Sequence, residues 1–520
     1  MTDVKYPFPN SDPNIAADKT VETMSNALKA IQIYSYGILK YLNEFMAPYW
    51  IALNSFNTLE KEKLKTGDPL QALSDYLNIF KFNLQVAEKG FNGTFSMMNT
   101  YHVRKAEEAF LAFLNTVFDK KGEDVSGFIA RYAKLLQKVV YEYPQAILAA
   151  KADYGFHFED ETAYVKFAET ERFELWQVLP TDGGKPAREN GKPIIIIPPY
   201  VLGPNILAFL PKEKKSYVHA FANMGIPTYI RIIKDIDVTP AVQVMTGDDD
   251  ALDLKFFCEK LVEKYQRAVT VNGFCQGGFV AIADILSGEL DGPVDALITC
   301  VTPMDGTRSK ALVEYLHHLP ERFMDLGYAL KEMPNGNKIV DGTVMSWVYK
   351  LKSMEREAPI LTFYRDLAMF DRPDGSDVKI SKTAAAINYW LIYDRTDLPE
   401  GITKMSFDSY TIPVEQDGTL PVKLFGRKLN FKRLKEKGIK YLICYAAQDD
   451  LVDKDAALAP LDFIDAEVTI FPKGHGSIAT SWSFPNSECA LHTCFGKEKY
   501  RGPVRFHLDL EEDESGSNPN

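Results

Sequence analysis

Apolar and polar positions along this chain fall into two regimes. From Lys19 to about Ala150 the apolar residues recur at helical spacing, as in Ile31, Tyr34, Ile38, Leu39, Leu42 and Phe45, or Leu70, Leu73, Tyr76, Leu77 and Phe80. Ala109 to Val117 and Phe128 to Val139 repeat the pattern, so four or five helices are expected here. Near Tyr164 the period changes to two, and 164–168 with 173–179 predict an antiparallel hairpin. Ile194–Ile197, closed by Pro198 and Pro199, is an unbroken apolar run of the kind that fills a strand covered on both faces. Further strand-like runs at 227–233, 268–274, 294–301, 439–447 and 467–471 are separated by helical patterns at 216–224, 250–265 and 456–463. Strand and helix in alternation predict an α/β fold with a mostly parallel sheet.

Between Asp305 and about Lys435 that alternation lapses. Helical pieces at 309–316, 342–351 and 360–370 are mixed with loops such as 371–375. An insertion of this length between sheet strands predicts a cap over the strand ends. The expected organisation is a helical N-terminal domain at 1–160 (its first 17 residues a loose arm), a core at 161–304, a cap insertion at 305–435, the rest of the core at 436–484, and a tail at 485–520 with an acidic end.

Composition changes this picture only at the margins. A net charge of −12 with no dominant basic patch sets nucleic acid aside as a partner. Six cysteines in 520 residues make no disulfide framework, which fits a reducing cytoplasm. Residues 1–7 carry no secretory pattern, and no run reaches the ~18 apolar residues of a membrane span. Cys489, His492 and Cys494 have no common zinc spacing, so no metal site is expected.

Candidate chemistry centres on Gly273-Phe274-Cys275-Gln276-Gly277-Gly278, where an apolar strand breaks at glycines and resumes as an apolar helix. That is the pattern of a nucleophile elbow with cysteine in the place of serine. The glycines let strand and helix pass closely, and the helix N-terminus favours thiolate. A nucleophile of this kind needs a base, and the base needs an orienting acid. Both occur in the required chain order, each after a strand: Gln448-Asp449-Asp450-Leu451-Val452-Asp453, then Gly474-His475-Gly476. His475 is expected to be the base. Asp450, set against the apolar Leu451-Val452, is preferred as the acid over Asp449 and Asp453. The backbone N–H of Gln276 is the expected first oxyanion donor, and that of Tyr200 or Val201, in the loop after Ile194–Ile197, the second. A cysteine exchanges acyl groups with thioesters reversibly, which points towards acyl transfer from a thioester.

These motifs in order resemble those of polyhydroxyalkanoate synthases, polymerases of the α/β-hydrolase fold. Gly273–Gly278 resembles the family's G-x-C-x-G-G box, Ile196-Ile197-Pro198-Pro199-Tyr200 its PPW segment, and Asp341-Gly342 its Asp-Gly before the cap helices. Trp390 to Pro399 is similar to W-N-x-D-x-T-N-L-P, Leu424 to Asn430 to the C-G-x-x-(V/I)-D-L strand pair, Ala446 to Val452 to A-x-x-E-D-x-I-V, and Gly474-His475 to the family's G-H. The resemblance implies an α/β-hydrolase fold with a cap and a Cys275–His475–Asp450 triad. It implies no cofactor, a 3-hydroxyacyl-CoA substrate, a polyester chain or granule as acceptor, a homodimer, and a cytoplasmic, granule-associated enzyme. The chain departs from the family at Ile232 to Ile236, at Tyr200, at Asp453 and at Leu351 to Glu357. The departures keep open a second function, a cysteine hydrolase acting as acyl-CoA thioesterase or intracellular polyhydroxyalkanoate depolymerase.

Overall fold

The central sheet of the computed structural model has eight strands, and its order carries the whole arrangement. Residues 13–310, 313, 319–346, 357–372, 374 and 376–510 are described. The strands are β1 (Tyr164–Glu169), β2 (Phe173–Val178), β3 (Ile194–Ile197), β4 (Thr228–Ile233), β5 (Val269–Phe274), β6 (Val294–Cys300), β7 (Lys440–Ala446) and β8 (Glu467–Phe471). They lie in the order β1-β2-β4-β3-β5-β6-β7-β8. β1 and β2 form the expected antiparallel hairpin, β2 runs antiparallel to β4, and the strands from β4 to β8 are mutually parallel. This is the α/β-hydrolase fold.

The order follows from residue type. The parallel strands are buried on both faces, which is why β3 is four isoleucines in a row, all without exposure. β3 is flanked by β4 on one side and β5 on the other, with Ile194 opposite both Thr228 and Thr270. The chain therefore reverses its direction of winding at β3, and the loops after β3 and β5 open side by side at the carboxyl edge. Open α/β sheets bind ligands at such a point.

Two compact units are present. The first comprises the described parts of 1–54, 70–150 and 347–388. The helices here are α1 (Pro13–Thr66, in this unit as far as Asn54), α2 (Pro69–Val117), α3 (Val125–Gln137) and a short helix Tyr143–Ala149, the first two longer than the sequence pattern suggests. α1 runs on through Pro48. Gly67 and Asp68 break the path, and α2 restarts with Pro69, whose missing N–H is harmless in a first turn. Asp124 caps α3 by accepting from the Gly127 N–H at 2.8 Å. The buried Lys105 of α2 donates to Asp371 at 2.8 Å, at the end of the helix Pro359–Phe370.

The second unit comprises 55–69, 151–346 and 389–520 as far as described, and holds the sheet. The anticipated cap insertion is thus divided: 357–372 and 376–388 group with the long helices, and 319–346 with 389–435 group with the sheet. Residues 485–510 pack beside the sheet, where the Arg501 carbonyl accepts from the Thr469 hydroxyl at 2.6 Å and Phe495 meets Phe471. The residues 1–12, most of the 309–316 and 347–356 segments, His317, His318 and the acidic end from 511 lie outside the described residues.

Candidate active site

β5 ends at Phe274, and Cys275 then adopts φ 52° and ψ −125°, a strained conformation that swings its side chain out of the strand line. The helix α4 (Gln276–Ser287) starts at the next residue. Two backbone bonds hold the turn: Cys275 N–H to the Cys300 carbonyl at 2.8 Å, and Gly278 N–H to the Cys275 carbonyl at 3.0 Å. The glycines are dictated by contact. A Cβ on Gly277 would stand 2.4 Å from the Pro198 carbonyl oxygen, and one on Gly278 would stand 2.0 Å from Thr302 Oγ1. The elbow is therefore pressed against the loop that follows β3.

His475 lies in the loop after β8, and its Nδ1 meets Asp449 Oδ2 at 2.8 Å. The carboxylate that bonds the imidazole is that of Asp449, where Asp450 was expected, and the turn itself gives the reason. Asp449 N–H returns to the Ala446 carbonyl at the end of β7, which points the Asp449 side chain inward. Its Oδ1 accepts from Leu451 and Val452 N–H, both at 2.9 Å, leaving Oδ2 for the imidazole. Asp450 is one residue further round the turn, and exposed. Adjacency to the apolar Leu451-Val452 favours Asp450, whereas an aspartate that closes a turn bonds the N–H two and three positions on, as Asp449 does.

Electrostatics agree with the geometry. Burial works against charge on His475, but the Asp449 carboxylate and Cys275 outweigh it and hold its proton affinity well above the usual histidine range. Burial also opposes charge on Asp449; the imidazole and the Leu451 and Val452 N–H groups overcome it and hold the carboxyl below its ordinary value. The other ring nitrogen, Nε2, is buried and takes no hydrogen bond of normal geometry, and Cys275 is the thiol that acts on this ring. His219 makes the contrast. Burial alone takes it down to about 4, and it serves the Ser216 cap of a short helix.

Of the two donors expected after β3, Val201 reaches the elbow. Its N–H donates to Gln276 Oε1 at 3.0 Å, so the amide oxygen of the residue after Cys275 rests on it. Gln276 begins α4, and a first-turn N–H has no acceptor one turn back. Tyr200 turns away. Its hydroxyl donates to Asp250 at 2.9 Å, Arg231 donates to the same hydroxyl at 3.1 Å, and Arg231 pairs with Asp250 at 2.8 Å. All three are buried, beside Asp284, whose two carboxylate oxygens have no hydrogen-bond partner. Burial, with the nearby Asp250 charge, pushes the Asp284 carboxyl well above the usual carboxylate range.

Sequence reasoning passed over this buried group beneath the loop after β3. An arginine enclosed by isoleucines, Ile230-Arg231-Ile232, was the available signal. The segment after Trp390 covers the same loop. Thr396 Oγ1 donates to the Tyr200 carbonyl at 3.0 Å, Trp390 Nε1 to the Leu202 carbonyl at 3.1 Å, and the Trp390 ring lies against Gly476 beside His475. Among the described residues no group of acidic, histidine or cysteine side chains could hold a metal ion.

No protein-family model and no curated protein matches the chain. Solved structures do. A carboxylesterase structure from the thaumarchaeon Nitrososphaera gargenis is 15% identical, with 61% of this chain and 92% of that chain covered at a TM-score of 0.34. Carboxylesterase CesB from Bacillus subtilis is 11% identical, covering 65% and 92% at 0.32. Naproxen esterase from the same organism is 10% identical, covering 67% and 95% at 0.34.

Proposed function

We propose that the chain is an acyltransferase of the polyhydroxyalkanoate-synthase type, in which Cys275 carries 3-hydroxyacyl groups from CoA to a growing polyester. The observation that carries this reading is the bonded Asp449–His475 pair with Cys275 on the strained elbow beside it. Asp449 fixes the tautomer and orientation of His475. The imidazole takes the Cys275 thiol proton, and the thiolate attacks the thioester carbonyl. The new S–C bond forms as the C–S bond to CoA breaks, and His475 returns the proton to the departing thiol. The oxyanion faces the Gln276 and Val201 N–H groups once the Gln276 side chain has moved off the latter. A 3-hydroxyl group then gives its proton to His475 and attacks the acyl-cysteine, which moves the acyl group onto oxygen and restores the thiol.

The family resemblance of the motifs supports a hydroxyl acceptor; the fold alone supports only an enzyme of hydrolase architecture. The second reading, a thioesterase or depolymerase with water as acceptor, is favoured by the departure at Ile232 to Ile236 after β4, where the resembled motif is absent. Purified protein given 3-hydroxybutyryl-CoA separates the two. Release of CoA with products longer than one acyl unit supports the transferase. CoA release with free 3-hydroxybutyrate as the sole product contradicts it and selects the hydrolase.

A further inference from the structure

The peptide unit that joins Tyr200 to Val201 is bonded at both ends. Its N–H, that of Val201, donates to Gln276 Oε1 at 3.0 Å and so points at an acceptor on the residue next to Cys275. Its C=O is that of Tyr200, and in a planar trans peptide the two groups point in opposite directions. Whatever holds the carbonyl therefore aims the N–H. The Tyr200 carbonyl accepts from the Gly203 N–H at 3.3 Å, the long closing bond of its own turn. It also accepts from the Thr396 hydroxyl at 3.0 Å, which comes from a segment 196 residues further along the chain.

That segment is itself held. Asp394 accepts from the Tyr154 hydroxyl at 2.7 Å and from Asn205 Nδ2 at 3.2 Å. The Gly342 N–H donates to Asp397 Oδ1 at 2.9 Å, and a Cβ on Gly342 would stand 2.0 Å from the Thr396 carbonyl oxygen. Thr396 thus presents its hydroxyl from a fixed backbone. On the other side of the peptide, Pro198 and Pro199 fix two φ angles just before Tyr200, and the Tyr200 hydroxyl is anchored at Asp250 and Arg231.

We propose that Thr396 is a positioning residue for acylation of Cys275: its hydroxyl locks the Tyr200–Val201 peptide so that the Val201 N–H faces the oxyanion of the tetrahedral intermediate. Gln276 Oε1 is the neutral acceptor that holds this place in the resting protein. The inference rests on Cys275 as the nucleophile and is independent of the natural acyl donor and acceptor. Without the hydroxyl, the carbonyl keeps only the turn bond, and the donor loses its aim. Loss of a whole oxyanion donor costs about 10²- to 10³-fold in rate, so loss of its aim should cost about 10- to 100-fold.

Two reactions of the same thiolate test this in the full-length protein. Acylation by p-nitrophenyl acetate forms an S–C bond and expels p-nitrophenolate through an oxyanion on the carbonyl. Alkylation by iodoacetamide forms an S–C bond at a saturated carbon as the C–I bond breaks, and builds no oxyanion. Thr396→Val keeps the shape and removes the hydroxyl. It should slow acylation about 10- to 100-fold and leave alkylation within about two-fold of the wild type. Thr396→Ser restores a hydroxyl and should recover most of the acylation rate. Tyr200→Phe, which loosens the neighbouring anchor, should show the same split. Acylation at the wild-type rate in Thr396→Val overturns the proposal, as does an equal loss of both reactions or a Thr396→Ser no faster than Thr396→Val. A wild type that alkylates but takes no acetyl group also overturns it. A protein inert towards 3-hydroxybutyryl-CoA that still shows the split supports the positioning role and contradicts the proposed function alone.

Discussion

Asp449 and Asp450 are adjacent and chemically identical, yet only one can serve His475, because the turn after β7 aims only one at it. Asp449→Asn should lower kcat by about 10³- to 10⁴-fold through loss of the correct imidazole tautomer, and Asp450→Asn should leave it within about three-fold; steady-state kinetics of the two variants decides. The charges predict a pH signature as well. The raised proton affinity of His475 contributes stability that is fully present below the unfolded histidine value of about 6.5 and lost as pH rises through the folded value. The lowered Asp449 value contributes stability present above about 3.9 and lost as pH falls through its folded value. Asp449→Asn should therefore reduce the melting temperature most between about pH 4 and 6.5, and least in alkali. A difference that grows above pH 9 would contradict the ion pair. In a histidine NMR titration both Asp449→Asn and Cys275→Ala should lower the His475 pKa, the first by more, following the order of the two causes. Cysteine, histidine and the acidic loop were legible in the sequence because glycines and strand ends mark them. The choice between neighbouring aspartates was not, since it depends on one backbone bond to Ala446.

At the scale of elements, the elbow and the β3 loop form one device. Gly277→Ala would drive a methyl group into the Ile197 and Pro198 carbonyl oxygens, which are backbone and cannot rotate aside. It should destabilise the sheet-bearing unit by about 3 kcal/mol, the upper range for overpacking, in denaturant unfolding. Tyr200→Phe removes the hydroxyl that Asp250 and Arg231 share. It should cost about 1–3 kcal/mol and lower kcat more than it changes KM, because the Val201 N–H is positioned through that residue. The strands were readable because a doubly buried strand is a continuous apolar run and a hairpin alternates. The long helices were misjudged for an opposite reason. Helical periodicity marks where a face is apolar, not where the chain stops, and Pro48 did not end α1. The buried Arg231–Asp250 pair was invisible because its partners are distant in sequence and meet only across the folded sheet.

At the scale of the whole molecule, the mostly parallel sheet followed from the alternation of elements and the α/β-hydrolase fold from the resemblance of the motifs, while the grouping of the insertion did not. Residues 357–372 join the helical unit because their apolar faces meet side chains of α1 and α2, as Phe363 does with Tyr34 and Tyr41, and Tyr364 with Tyr101, and residues 376–388 are tied to it by Lys138 at Val378 and by Asn388 at the Tyr143 hydroxyl. No period within one segment reveals which remote helix it will pack on. The account converges on a single covalent event at Cys275, and the most direct test is to quench the protein during turnover of 3-hydroxybutyryl-CoA and weigh its peptides. The predicted result is one or more 3-hydroxybutyryl units on the peptide containing Cys275, absent from Cys275→Ala and from His475→Ala. An unmodified Cys275 peptide during CoA release, or an acyl group on any other residue, would contradict the account.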